Sequence, residues 1–338
     1  MKDFSRVFED SEQSHPPTSP LSGAPMRPAL SVPMDWRRPS DPRSWKIWWD
    51  QAASFGQVFP RPSVSDVASF YDMDAYYTHD NYGELFDSDQ ERNQVGWLGR
   101  LLGSIAYRFE NGAEPTAAWW KSVIPANAQH GLEIGCGNGD RMMTYRPYVA
   151  NLRGVEPDPR AVSVARSRGL SVHEGTAEHL PDEVCGTLYD LIVFSHVLEH
   201  TLDPVRSLSN ARALLADGGL MSVEVPNNAA EGARMMGEAW RWLDAPRHLN
   251  FFTADSLRAC AEAAGLRVEA VLFRGYVRQF MPDWIVDEAR IRARLEGRVM
   301  TQADIDAQVR HSLRLLARTI TAPPERKYDS VRVLCRRA

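Results

Sequence analysis

From His130 onward the chain alternates short apolar runs with helix-length amphipathic segments, and this rhythm constrains the fold more than any other feature. Such alternation yields strands joined by crossover helices, hence a largely parallel sheet covered on both faces. The pattern predicts strands at Gly131–Ile134, Leu152–Glu156, Leu170–Glu174, Tyr189–Phe194, Leu220–Val225, Arg267–Phe273 and Ser330–Cys335. The helices between them have chemically sensible ends. Asp158-Pro159 and Asp203-Pro204 open two of them, Thr253 opens a third, and Gly169 and Gly265 close the first and last. Five such repeats and a final strand pair predict a doubly wound α/β sheet.

Directly after the first strand stands Leu132-Glu133-Ile134-Gly135-Cys136-Gly137-Asn138-Gly139-Asp140. Alternate glycines allow positive φ and let a ligand touch backbone that any Cβ would block. A dinucleotide site spaces its glycines G-x-G-x-x-G and sets a pyrophosphate on the following helix. Here the third glycine comes one position early, and Asp140 occupies the path of an approaching anion. The carboxylate tolerates a ligand carrying an ammonium and a sulfonium, which favours S-adenosylmethionine over NAD. Glu156, followed by Pro157 at the end of the second strand, is placed to accept both ribose hydroxyls in either cofactor class. Glu178, with the backbone near Ala177, is a candidate for the adenine amine.

The flanking regions read differently. Residues 1–40 carry Pro16, Pro17, Pro20, Pro25, Pro28, Pro33 and Pro39 among serines, which predicts a disordered or surface-draped tail. Residues 41–122 read as a helical, aromatic-rich lid or substrate region. Trp45, Trp48 and Trp49 recur at helical spacing behind an Asp41 cap, and Tyr71, Tyr76, Tyr77, His79 and Tyr82 crowd the stretch that follows. The core is expected over 123–338, interrupted at 276–328 by an insertion with helices from Pro282 to Gly297 and from Thr301, where Asp304 completes a capping box. That insertion is either a wall over the site or a contact in a homo-oligomer.

A net charge of −5 removes the electrostatic footprint of a nucleic-acid binder. No apolar run is long enough to span a bilayer, and MKDFSRVFED lacks the apolar stretch of a secretory signal. Four scattered cysteines, without a C-x-x-C pair, read as reduced thiols. These features together predict a cytoplasmic protein.

LEIGCGNGD, GVEPD, GTAEHLP, YDLIVFSHVLEH and LLADGGLMSVEVPN resemble the successive motifs of class I S-adenosylmethionine-dependent methyltransferases, from about His130 to Phe273 and again at the last strand. RHLNFFTADSLRACAEAAGLRV is similar to a subgroup that methylates small metabolites, quinone precursors and sugars. The resemblance implies a Rossmann-like sheet of order 3-2-1-4-5-7-6 with the last strand antiparallel. It also implies a cofactor lying on Glu133, Gly135, Gly137 and Gly139, with Glu156 on the ribose and Glu178 near adenine.

Methyl transfer from a sulfonium is an in-line displacement that needs alignment, exclusion of water and sometimes a base. The segment expected to face the methyl group is Ser195-His196-Val197-Leu198-Glu199-His200, not the N/D-P-P-Y of enzymes that methylate exocyclic or amide nitrogens. Ser195 is expected beside the cofactor. His196, His200 and His248 are base candidates, because imidazole titrates near working pH. Trp242, Arg247 and Asn250 are candidates for the acceptor wall, and Tyr76 and His79 for substrate contact from a lid that precedes the core. His196, Glu199, His200 and His248 also suggest a divalent-metal site, similar to the E-x-x-E-H arrangement of some superfamily members. The leading expectation is O-methylation of a small acceptor. N- or C-methylation, an NAD-dependent oxidoreductase and a non-catalytic cofactor-binding scaffold stand as rivals.

Overall fold

The computed structural model describes residues 16–71, 93–112 and 116–338. Three strands precede the core: β1 (Arg27–Val32), β2 (Trp45–Asp50) and β3 (Phe55–Phe59). The core supplies β4 (His130–Ile134), β5 (Asn151–Glu156), β6 (Ser171–Glu174), β7 (Tyr189–Ser195) and β8 (Leu215–Pro226), then a short β9 (Asn250–Phe251), and finally β10 (Leu266–Arg274) and β11 (Ser330–Arg337).

Seven of these form one sheet in the order β10-β11-β8-β7-β4-β5-β6. Counted within the sheet, this is the order 3-2-1-4-5-7-6 that the motifs imply. β4, β5, β6, β7 and β8 pair in parallel, while β11 runs antiparallel to both β8 and β10. Both faces are buried, as a parallel sheet requires. Along β7, Ile192 and Phe194 join one core cluster, and Leu191 and Val193 the other. Each such buried side chain contributes about 2 kcal/mol of apolar burial. The caps form as the sequence suggests: Asp158 accepts from the Arg160 amide, Asp203 from that of Arg206, and Thr253 forms a capping box with Ser256.

The N-terminal part corrects two expectations. It carries helices Val64–Phe70, Gly96–Tyr107 and Ala117–Val123, but Trp45, Trp48 and Trp49 lie on strand β2. β1, β2, β3 and β9 form a separate antiparallel sheet. The physical reason is the period-2 burial of Trp45 and Ile47, with Trp45 set edge-on against Phe70, which overrides the coincidental helical spacing of the tryptophans. The proline-rich stretch is also not a loose tail where it is described. Met26, Val32, Asp35 and Trp36 are buried. Composition is a poor guide here because one buried ion pair and a few aromatic anchors hold the segment.

That ion pair centres on Arg247, which is fully buried. Its two terminal nitrogens each donate to Asp35 at 2.7 Å, and one also reaches Asp244 at 2.8 Å. Arg37 donates to Asp244 at 2.9 Å. Burial raises the Asp244 pKa, but the flanking Arg247 and Arg37 guanidiniums overcome this and hold the group far below the ordinary carboxylate range.

The insertion folds as two helices, Pro282–Leu295 and Gln302–Thr319, the second behind the Thr301/Asp304 capping box. Ile285, Ala289, Ile305, Val309 and Leu316 pack with Leu102 and Ala106 of the Gly96–Tyr107 helix. Glu288 faces inward and accepts from the Trp284 indole and the Gln308 amide. Among the described residues, no helix is long and apolar enough to cross a membrane.

Removing one partner of a buried pair strands the other charge, at a cost of about 3–5 kcal/mol. We expect Asp35→Ala to lower the unfolding free energy by that amount in urea titration. A loss below about 1 kcal/mol would show that Asp244 alone satisfies Arg247.

Candidate active site

A cavity of about 740 Å³ opens over the C-terminal ends of β4, β5 and β7, where open α/β sheets place their ligands. Its floor is the glycine loop. Gly135 and Gly139 have φ of +69° and +85°, and a Cβ on either would collide with Val197 or Leu170. The loop is held from within. The amides of Gly135 and Cys136 donate to the Val155 carbonyl, and that of Gly139 donates to Cys136. Gly137 donates to Glu156 at 2.8 Å, and Asp140 to the Asn138 side chain at 3.1 Å.

Glu156 therefore accepts one backbone hydrogen on each oxygen, from Gly137 and from Asp158 at 3.0 Å. A carboxylate has about four acceptor positions, so it retains capacity toward the cavity it lines, beside Pro157. Glu133, at the end of β4, is buried with the Tyr145 hydroxyl against it. Burial pushes both carboxyls up, each to about 7. Ala177 and Glu178 also line the cavity. One Glu178 oxygen accepts from the Leu202 amide at 2.8 Å, and the carbonyls of both residues accept from Asn210. Asp140, expected to repel an anion, is paired with Arg168, so its charge is largely compensated.

On the opposite wall lie Ser195, His196 and His200. Ser195 Oγ is buried without a hydrogen-bond partner. His196 has a left-handed backbone with φ of +57°, and its ring stacks on Trp242 at 4.7 Å and 10°. Its Nε2 meets Glu224 at 3.1 Å, while its Nδ1 lies 3.3 Å from Glu199 without hydrogen-bond geometry. Glu224 is buried among Arg332, Arg274 and His196. Burial raises its pKa, but the guanidiniums of Arg332 and Arg274 hold it well below its ordinary value.

Beside them, Glu199, His200 and His248 offer ligand atoms within 4.8 Å of one another. Nδ1 of His200 faces the Arg247 carbonyl at 3.0 Å and the Tyr71 hydroxyl at 2.7 Å, and Nδ1 of His248 faces the Trp242 carbonyl at 2.8 Å. A carbonyl only accepts, so each Nδ1 carries the hydrogen and each Nε2 the lone pair. Burial lowers both imidazole pKa values, that of His248 to about 4. Both Glu199 oxygens are buried without hydrogen-bond partners. Two neutral imidazoles oriented by carbonyls, next to an orphaned carboxylate, fit a divalent cation.

Other expectations are corrected. Arg247 cannot line an acceptor wall, because Asp35 and Asp244 enclose it. Asn250 is likewise structural: its amide donates to Thr201 at 2.6 Å, and its oxygen accepts from Gln57 and Arg61. Trp242 backs His196, and neither it nor His248 is among the lining residues. Tyr76 and His79 lie outside the described residues. No residue of the 276–328 insertion lines the cavity. Sequence reasoning passed over Trp120, Arg141, Thr144 and Arg274, which do line it. It also passed over Glu224, although a carboxylate inside the apolar run LMSVEVP was a readable signal.

Residues 106–271 match the family model described as a methyltransferase domain. The chain is 32% identical over 155 residues to a ubiquinone biosynthesis O-methyltransferase of Cereibacter sphaeroides, covering 42% of this chain and 62% of that protein. It is 29% identical over 160 residues to one from Azorhizobium caulinodans, covering 44% and 62%. The matches thus span less than two thirds of these curated relatives. Among solved structures, an S-adenosylmethionine dependent methyltransferase from Mesorhizobium loti aligns with a TM-score of 0.41 and 16% identity, covering 66% of this chain and 98% of that one. Residues 106–271 thus carry a methyltransferase domain, with the motif order and the strand order that the resemblance to class I S-adenosylmethionine-dependent methyltransferases implies.

Proposed function

We propose that the protein transfers the methyl group of S-adenosylmethionine to an oxygen of a small acceptor. The observation that carries this reading is the internally bonded glycine loop. A pyrophosphate site needs free amides aimed at the ligand, yet five of the loop amides are spent on protein acceptors. Such a loop offers close backbone contact without anion binding, which suits a nucleoside joined to a sulfonium and excludes a dinucleotide. The names of the relatives support an oxygen acceptor.

In this reading Glu156 takes the ribose hydroxyls, Ala177 and Glu178 border the adenine, and Ser195 and His196 face the methyl group. Glu224, kept ionised by its arginines, holds the hydrogen of His196 on Nε2. Glu199 lies 3.3 Å from the buried Nδ1, so the ring is held between two carboxylates beside the methyl group. Glu199, His200 and His248 would hold a divalent cation. Its chemistry is to polarise a coordinated hydroxyl and lower its pKa.

Calorimetric titration with S-adenosylhomocysteine tests the cofactor site. We expect a Kd on the order of micromolar, weakened at least about tenfold by Glu156→Ala. The folded pKa of Glu156 lies at about 7, and its ionised form is the acceptor. Affinity should therefore fall as pH drops below about 7, and Glu156→Gln should lose part of that dependence. Binding of NADH with none of S-adenosylhomocysteine would overturn the reading. Release of S-adenosylhomocysteine in the presence of phenolic or carboxylic acceptors tests turnover.

Metal analysis of protein purified without chelators tests the cation. We expect about one ion per chain, with most of it lost in Glu199→Gln and in His248→Ala. Metal-free wild-type protein after incubation with zinc or manganese would remove the site from the proposal.

A further inference from the structure

The insertion at 276–328 lies outside the family match at 106–271, and none of its residues lines the cavity. It nonetheless reaches the cavity wall through one side chain, Trp242, in the segment between β8 and β9. The Trp242 indole stacks on the His196 ring at 4.7 Å and 10°, and lies nearly parallel to that of His248 at 6.3 Å and 20°. Its contacts away from these imidazoles come from the insertion or its edge. Trp284 meets it edge-on at 5.6 Å and 75°, and the Arg278 guanidinium lies 5.3 Å from the ring centroid. The indole nitrogen donates to Asp329 at 3.3 Å.

These neighbours are themselves fixed. Arg278 donates to both Asp329 oxygens, at 3.0 and 2.7 Å. Trp284 is buried in helix Pro282–Leu295, and its indole nitrogen donates to Glu288 at 2.8 Å. Glu288 accepts in turn from Gln308 of helix Gln302–Thr319 at 2.6 Å. A path of packed rings and hydrogen bonds therefore runs from the second helix of the insertion to the imidazole. His196 needs such support. Its φ of +57° is a left-handed conformation that a residue with a Cβ keeps only where the surroundings over-determine it. The contact of Nε2 with Glu224 fixes one point of the ring and leaves its plane free to swing about that bond. A stacked indole removes the swing, and an edge-on partner holds the indole at the spacing aromatic pairs prefer.

We propose that Trp284 is a positioning residue of this site, which fixes the plane of the His196 imidazole through Trp242. The helical insertion is then a brace behind the cavity wall, and neither a wall itself nor a separate appendage. The bearing on methyl transfer rests on the reading in which His196 faces the methyl group. The positioning itself does not, so the two are tested apart.

Histidine side-chain NMR spectra of the ligand-free protein are compared between wild type, Trp242→Leu, Trp284→Ala and Trp284→Phe. The His196 signals are assigned by their loss in His196→Gln, and thermal melting of each protein checks folding. The stacked indole is expected to shift the His196 ring protons upfield in the wild type. We expect that shift to vanish in Trp242→Leu and to fall by at least half in Trp284→Ala. Trp284→Phe, which keeps the edge-on contact, should retain most of it. Ile305→Ala is the control, because Ile305 belongs to the insertion's own apolar cluster. Its melting temperature should fall while the His196 signals stay in place. Where Trp284→Ala does not fold, Trp284→Leu keeps an apolar filling and carries the same expectation. Unmoved His196 signals in the folded Trp284 variant, or an equal displacement in Ile305→Ala, would overturn the proposal. So would wild-type His196 protons that show no upfield shift. Failure of the wild-type protein to bind S-adenosylhomocysteine would instead strike the cofactor reading and leave the positioning standing.

Discussion

The buried guanidinium of Arg247 joins parts of the chain that are far apart in sequence. Its side chain binds Asp35 and Asp244, fixing the N-terminal segment onto the loop that follows β8. Its backbone carbonyl lies against Nδ1 of His200. The same residue therefore sets the stance of an N-terminal strand layer and the tautomer of an imidazole in the cavity wall. Such a pair is costly to desolvate, and only bidentate geometry with further acceptors makes it tolerable. What it provides is register: the loop carrying His248, the segment carrying Trp36 and the turn carrying His200 are positioned together. Arg61 reinforces this by donating to the carbonyls of Leu202 and Leu249.

The cavity divides by charge. Around the glycine loop it is acidic, and burial keeps Glu133 and Glu156 close to protonation. Its opposite wall carries imidazoles, with carboxylates behind them and arginines behind the carboxylates. Glu224 stands at the centre of that second layer, meeting His196, Arg274 and Arg332. The ring of His196 is confined further by Trp242, whose indole reaches Asp329 at 3.3 Å. These contacts reduce the freedom of the ring before any acceptor enters.

Much of the core was legible because each level of the sequence agreed. The glycine loop, Asp158-Pro159, Asp203-Pro204 and Thr253 each marked an element end, and the apolar runs fell on the strands between. The N-terminal layer was not legible in the same way. Trp45, Trp48 and Trp49 satisfy helical and strand periods alike over so short a window, and only the partners β1 and β3 decide between them. The prolines of the first forty residues suggested a tail, because nothing local announces that Asp35 will meet Arg247. The site showed the same division. Glu156, Ser195 and His196 follow from motif position, whereas Arg274 reaches the cavity only through the return of β10 to the sheet edge. Arg247 and Asn250 looked functional because polar residues in a loop after a strand usually do, and burial gives them a structural task instead.

The internally bonded glycine loop has one more consequence. Its shape is complete before any ligand arrives, so little ordering entropy is spent on binding. The groups assigned to recognition in the proposed reading lie along the sugar and the base, and none of them reads the sulfur. Under that reading a site of this construction would hold the spent cofactor about as firmly as the charged one. Throughput would then depend on how quickly the demethylated product is cleared from around the protein, so the loop that secures the methyl donor would also expose the reaction to inhibition by what it leaves behind.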